Sequence, residues 1–239
     1  MSLSRRALLP RCAGAALLFF ATAGCQAGPR GPIAEQIRYF RPTPHGVVRE
    51  CSFTIENRED GRTITSVTGD LTVCARYDAS DRLLEAEAKL SKGAASRVIV
   101  SAGRAKVLRP DRDAQDFDVP AGVIVTSAPD WTDAFWICRL WDRERAGRRE
   151  FPGLWIHPVQ PAQRLTFTAE RVGGAALSIG GTTLPLDRLS IRLRGNSEYL
   201  AWVDSAGRMI KLAARPANQG SAVLILEGYE TASAALVPD

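Results

Sequence analysis

From about residue 48 onward, apolar and polar side chains alternate with a period of two in short runs separated by turn residues. Cys51, Phe53 and Ile55 alternate with Glu50, Ser52, Thr54 and Glu56, and Glu59-Asp60-Gly61 makes the turn that follows. Leu84, Ala86, Ala88 and Leu90 alternate with Glu85, Glu87 and Lys89; Val98 and Val100, then Ala105 and Val107, continue the pattern. It resumes with Leu165, Phe167 and Ala169, then Leu189, Ile191 and Leu193, and closes with runs at 199–204, 208–214 and 222–227. Successive side chains of a strand point to opposite faces, so each run predicts one buried and one solvated face. Close spacing and short turns predict about ten or eleven antiparallel strands in one sheet. Residues 30–47 read as a proline-punctuated lead-in, and residues 111–120 as a polar loop.

One segment departs from this period. Asp130-Trp-Thr-Asp133 has the form of an N-terminal capping box, and Gly147 suits a C-terminal stop, which predicts a helix over about residues 131–146. Arg143 and Arg145 then fall in its last turn, where they complement the helix dipole. At about 100° per residue, Trp131, Ala134, Phe135, Ile137, Cys138 and Trp141 share one stripe, while Trp136 and Leu140 project from the other side. A helix this apolar at its centre needs cover on two faces. The fold expected is therefore mainly β: a curved antiparallel sheet or half-open barrel with one helix packed against its concave face.

The N-terminus reads as an address. Arg5 and Arg6 precede the apolar run from Cys12 to Ala21, followed by the small residues Thr22-Ala23-Gly24-Cys25. That order is a positive n-region, a short h-region and a cleavage site, the layout of a bacterial export signal. The run falls short of the about 20 apolar residues of a membrane span. Two cleavage readings follow. Thr22-Ala23-Gly24-Cys25 resembles the lipobox of bacterial lipoproteins, with Thr22 where that family prefers an aliphatic residue, and implies that Cys25 is acylated. Ala21-Thr22-Ala23 also fits an A-x-A site, which would release a soluble periplasmic or secreted protein. The cysteine at the one position a lipobox requires favours the first, and Gln26 after it points to the outer membrane under the usual sorting rule. Ser4-Arg5-Arg6-Ala7-Leu8-Leu9 also resembles a twin-arginine motif. The expected organisation is an export signal over residues 1–24, a tether and lead-in over 25–47, and a single β-rich domain over 48–239.

The hairpin Tyr199-Leu-Ala-Trp-Val-Asp204-Ser-Ala-Gly207-Arg-Met-Ile-Lys-Leu212 resembles the penultimate hairpin of uncharacterised bacterial envelope proteins with a curved antiparallel sheet. Such domains are similar to the incomplete barrels of lipoprotein-carrier proteins, in which a helix packs into the hollow of a half-closed sheet. The resemblance implies a hydrophobic concavity over about residues 48–230.

Charge narrows the partners. The formal net charge is +5, but the signal contains Arg5, Arg6 and Arg11 and no acidic residue, so its removal leaves +2. Basic residues are scattered singly, with no run beyond Arg148-Arg149 and without the footprint of a phosphate-backbone binder, so no nucleic-acid partner is expected. Three cysteines remain beyond Cys12 and Cys25. Cys51 is in phase with Phe53 and Ile55, whereas Cys74 is out of phase with Leu71, Val73, Ala75 and Tyr77, so the two thiols are expected on opposite faces. No C-x-x-C spacing points to zinc or redox chemistry.

Candidate catalytic groups are sparse. The two histidines, His45 and His157, are not in a metal-ligand motif. Ser178 lies in Ala176-Leu-Ser178-Ile-Gly180, which lacks the first glycine of a nucleophile elbow and leads into a turn. Asp111, Asp113, Asp116 and Asp118 crowd one loop without EF-hand spacing. No cofactor and no metal are expected. The best candidates for binding are Trp131, Phe135, Trp136, Leu140, Trp141 and Trp155. The chain is thus read as a non-catalytic, membrane-tethered periplasmic module for a hydrophobic ligand or an acylated partner. The alternative is an envelope assembly protein with a dry, filled interior; a hydrolase built on Ser, Asp and His157 comes last.

Overall fold

The computed structural model describes residues 33–43, 45–127, 131–145, 147–193, 197–215 and 224–236. The signal, Cys25 and the capping residue Asp130 lie outside them. Alternation becomes strands where expected, and also in both stretches expected to be irregular. Residues 33–43, within the expected lead-in, form β1 (Ile33–Thr43), and the polar loop forms β8 (Arg112–Asp118). Between them run β2 (Gly46–Arg58), β3 (Gly61–Thr68), β4 (Leu71–Asp78), β5 (Leu83–Leu90), β6 (Ala95–Ser101) and β7 (Arg104–Arg109). Then come β9 (Ile124–Thr126), the helix α1 (Trp131–Arg139), β10 (Arg149–Trp155), β11 (Gln163–Ile179) and β12 (Thr182–Arg192). The chain ends with β13 (Glu198–Val203), β14 (Met209–Arg215), β15 (Leu224–Leu226) and a 3-10 turn, Ala232–Ala235.

Among the described residues 15 strands belong to one sheet, against the ten or eleven expected. The difference lies in β1 and β8, read as irregular for their prolines and aspartates, and in β9, too short to show a period. Gly180-Gly181, both at positive φ (55° and 81°), makes the two-residue connection from β11 to β12. β1 sits mid-sheet with β2 on one side and β15 on the other. From β1 the chain meanders outward to β8, crosses through residues 119–123 to β9 at the opposite end, and meanders back to β15. Pairing is antiparallel throughout except between β9 and β10. β8 and β9 end the sheet and do not pair with each other, so the sheet is open.

The sheet is nevertheless strongly curled. β4 and β9 stand ten places apart in strand order, a span of about 48 Å if flat. Yet the Tyr77 hydroxyl of β4 donates to the Val123 carbonyl at 3.2 Å and accepts from the Val125 N–H of β9 at 3.4 Å. Bulges at Tyr39/Phe40, Arg76/Tyr77, Arg171/Gly173 and Trp202/Val203 supply local bending. The inward faces form one continuous core.

The helix is shorter than expected, nine residues where about sixteen were read. Winding stops at Arg139, before Leu140 and Trp141, and residues 142–145, all charged, offer nothing to bury. Arg143 instead pairs with the buried Asp187, and Arg139 reaches Glu35 of β1 at 2.7 Å. Gly147, read as the stop, lies eight residues beyond the last helical residue, Arg139.

Candidate functional site

At about 1.5 Å per residue α1 is only about 13 Å long, yet it packs against β9, β13 and β14 and stacks on β2. The Phe135 ring lies parallel to Phe53 of β2, centroids 3.8 Å apart, and edge-on to Tyr39 of β1 at 6.2 Å. Trp136 meets Phe135 edge-on at 5.2 Å and Phe53 at 6.4 Å. Ala134, Ile137 and Cys138 are wholly buried. Both sides of the helix are thus covered by side chains of the curled sheet.

The remaining sequence-derived candidates are not gathered with them. Trp131 opens the helix, and its side chain lies outside what is described. Leu140 is half-buried against the core. Trp141 is buried, with the Arg149 guanidinium 5.8 Å from its ring and 5.4 Å from that of Phe151. Trp155 is buried and stacks on His157 at 5.4 Å. His157 Nδ1 also accepts the N–H groups of Val159 and Gln160, a turn-holding role. Cys25 lies outside the described residues.

Two thiols and two phenols of this core are held neutral by burial. Burial pushes the Cys51 thiol up to about 12 and raises Cys138 further, so neither is a thiolate at neutral pH. Burial likewise raises the hydroxyls of Tyr39 and of Tyr77, the latter to about 12. Cys74 is half-exposed on the opposite face from Cys51, as the phase of its strand requires, and all three thiols are free. Asp187 carries Arg143 and Arg171, and Asp204 pairs with Arg208 at 2.7 Å while accepting the N–H groups of Ala206 and Arg208. These buried carboxylates fix turns and bulges.

The aspartates at 111–118 do not converge. In strand β8 Asp113, Asp116 and Asp118 are all exposed, and a bulge opposite Val107 and Arg109 interrupts the alternation between Arg112 and Gln115. Among the described residues no group of three or more His, Cys, Asp or Glu is placed to hold a metal ion.

Residues that sequence reasoning passed over form the rim. A cavity of about 500 Å³ lies between the β4–β5 turn, the β6–β7 turn and the β8–β9 crossing, lined by Leu83, Leu84, Val100, Ala102, Val119 and Arg82 among others. A second, of about 310 Å³, lies on the other side of the same crossing, against Pro152, Gly153 and Leu165. Among the described side chains, Phe135, Trp136, Leu140, Trp141 and Trp155 are not in the lining of either. Polar loop composition concealed this region, and no sequence signal marked it.

A large open sheet curled about one short helix is the class that this geometry defines. No family model matches the chain, and no curated protein matches it. Among solved structures it is similar to a β-barrel-like protein of the domain of unknown function DUF1849 from Brucella abortus. That match has 7% identity, a TM-score of 0.47, and covers 82% of this chain and 94% of that one. It is also similar to the hypothetical lipoprotein YmcC from Escherichia coli, with 13% identity, a TM-score of 0.29, and 80% and 84% coverage. Among the described residues no helix is long and apolar enough to cross a membrane.

Proposed function

We propose that this chain is a non-catalytic module of the bacterial cell envelope, exported by residues 1–24 and tethered through lipid on Cys25, most simply at the outer membrane. It acts by contact with another envelope protein. The observation that supports this reading is the filled interior: Phe135 and Trp136, the centre of the apolar helix, are consumed in packing against Tyr39 and Phe53. A scaffold whose core is so occupied offers its rim and outer face to partners. Growth with an alkyne-bearing fatty acid tests the tether. Label is expected on the wild-type chain and absent from Cys25→Ser; an unlabelled wild type overturns it.

A second reading, binding of an amphiphilic ligand with a hydrophobic chain, is favoured by the rim cavity, whose lining mixes aliphatic side chains with Asp78 and Arg82. Titration with a fluorescent lipid separates this from a role for the helix. Uptake abolished by Trp136→Ala in a folded chain would return the site to Trp131, Phe135, Trp136, Leu140, Trp141 and Trp155. Such binding requires the helix to leave Phe53, so under the packing described no helix-dependent uptake is expected.

A further inference from the structure

The two ends of the sheet are joined at one strap, and the hollows lie on either side of it. The Val119 N–H donates to the Gly103 carbonyl at 2.9 Å, and the Gly122 N–H donates to the Asp81 carbonyl at 3.1 Å. Pro120 and Ala121 cross between these two feet, and both line the 500 Å³ cavity. Val119 and Pro120 also line the 310 Å³ cavity beyond. Asp81 and Ala102, the two non-glycine residues at positive φ among the described residues (58° and 51°), stand in the two turns that grip the strap. A left-handed conformation costs an L-residue roughly 1–2 kcal/mol, and alanine has no polar side chain to offset it. Ala102, with Gly103 (φ 77°), forms the two-residue β6–β7 turn, and both line the cavity.

The lining specifies a chemistry. Leu83, Leu84, Val100, Val119, Pro120 and Ala121 present aliphatic surface with no aromatic plane among them. Asp78 already accepts the N–H groups of Ser80 and Arg82 and the Arg82 Nε, which leaves it poorly suited to a ligand cation. Arg82 spends its Nε on Asp78 at 2.8 Å, and its side chain is 69% exposed, with the end of the guanidinium available to an anion. About 500 Å³ is within the range of small-molecule sites. We propose that the strap cavity binds an unbranched aliphatic carboxylate, its chain along Leu84, Val100 and Val119 and its carboxylate on Arg82. This rests on the second reading above and moves its site from the helix to the rim.

Calorimetric titration of the full chain with sodium decanoate below its micellar concentration, and with uncharged decan-1-ol, tests the assignment. Decanoate is expected to bind at one saturable site. Val100→Trp, which fills the cavity, and Ala121→Trp, which blocks the mouth from an exposed position, should each abolish it, whereas Val48→Trp on the distant β1–β2 hairpin should not. Arg82→Gln should weaken decanoate about tenfold, the worth of a charge-assisted hydrogen bond, and leave decanol unchanged. Circular dichroism establishes which variants are folded. Decanoate binding that survives both tryptophan variants sinks the strap site while leaving a hydrophobic ligand possible elsewhere. No saturable binding of decanoate, decanol or fluorescent lipid overturns both.

Discussion

Phe135 is 1% exposed and stacked on Phe53, so truncating it leaves a cavity where the helix meets β2. Phe135→Ala should cost about 3–5 kcal/mol, read as a lowered urea midpoint. The cysteines give a second test at this scale. Cys51 and Cys138 are buried with raised pKa, whereas Cys74 is half-exposed on the outer face. Alkylation of the native chain followed by peptide mapping should modify Cys74 first, with Cys51 and Cys138 modified only after denaturation. Residue facing was legible beforehand, since phase alone separates Cys51 from Cys74. Tyr39 was not, although it is in phase with Ile37, because the nearby prolines Pro42 and Pro44 made residues 30–47 look irregular.

Edge strands carry the next level. β9 pairs with β10 on one side, and on the other the buried Val125 N–H, with the Val123 carbonyl just before the strand, is met by a single phenol rather than by a strand. Tyr77→Phe removes both hydrogen bonds of that hydroxyl and leaves the Val125 N–H and the Val123 carbonyl buried without them. A loss of about 1–3 kcal/mol is expected, with faster amide exchange at Val125 than in β13 or β14. The other edge, β8, is blunted differently, by Asp113, Asp116 and Asp118, a common device against edge-to-edge pairing. Those aspartates read as a loop because charge density mimics loop composition; only pairing with β7 makes them a strand. Helix existence and its start were evident from the apolar stripe. Its end was not: winding stops at Arg139, which pairs with Glu35, 104 residues distant, and Arg143, read in the last turn, meets Asp187 instead.

For the whole molecule, pH is the direct probe of how dry the curled interior is. The Cys51 thiol and the Tyr77 hydroxyl titrate near 12 when folded, above their ordinary values of 9.0 and 10.0. Their folded pKa is raised, so their contribution is fully present below about pH 9 and is lost as pH rises towards 12, because the unfolded chain releases these protons first. Thermal melts should therefore show a flat Tm from neutral pH to about 9, then a progressive fall. An unchanged Tm at pH 11 would mean that water reaches these groups in the folded state. Alternation of side chains determined, from the sequence alone, that the chain is a β-sheet with one wet and one dry face, and that a single apolar helix interrupts it. Both are local properties, set within a few residues by backbone geometry. Tertiary structure alone decided that the fifteen strands form one open curl, that the helix is spent as core, and that hollows flank the strap. Those outcomes depend on contacts such as Tyr39 and Phe53 with Phe135, or Tyr77 with Val123, which unite residues far apart in the chain and leave no periodic trace.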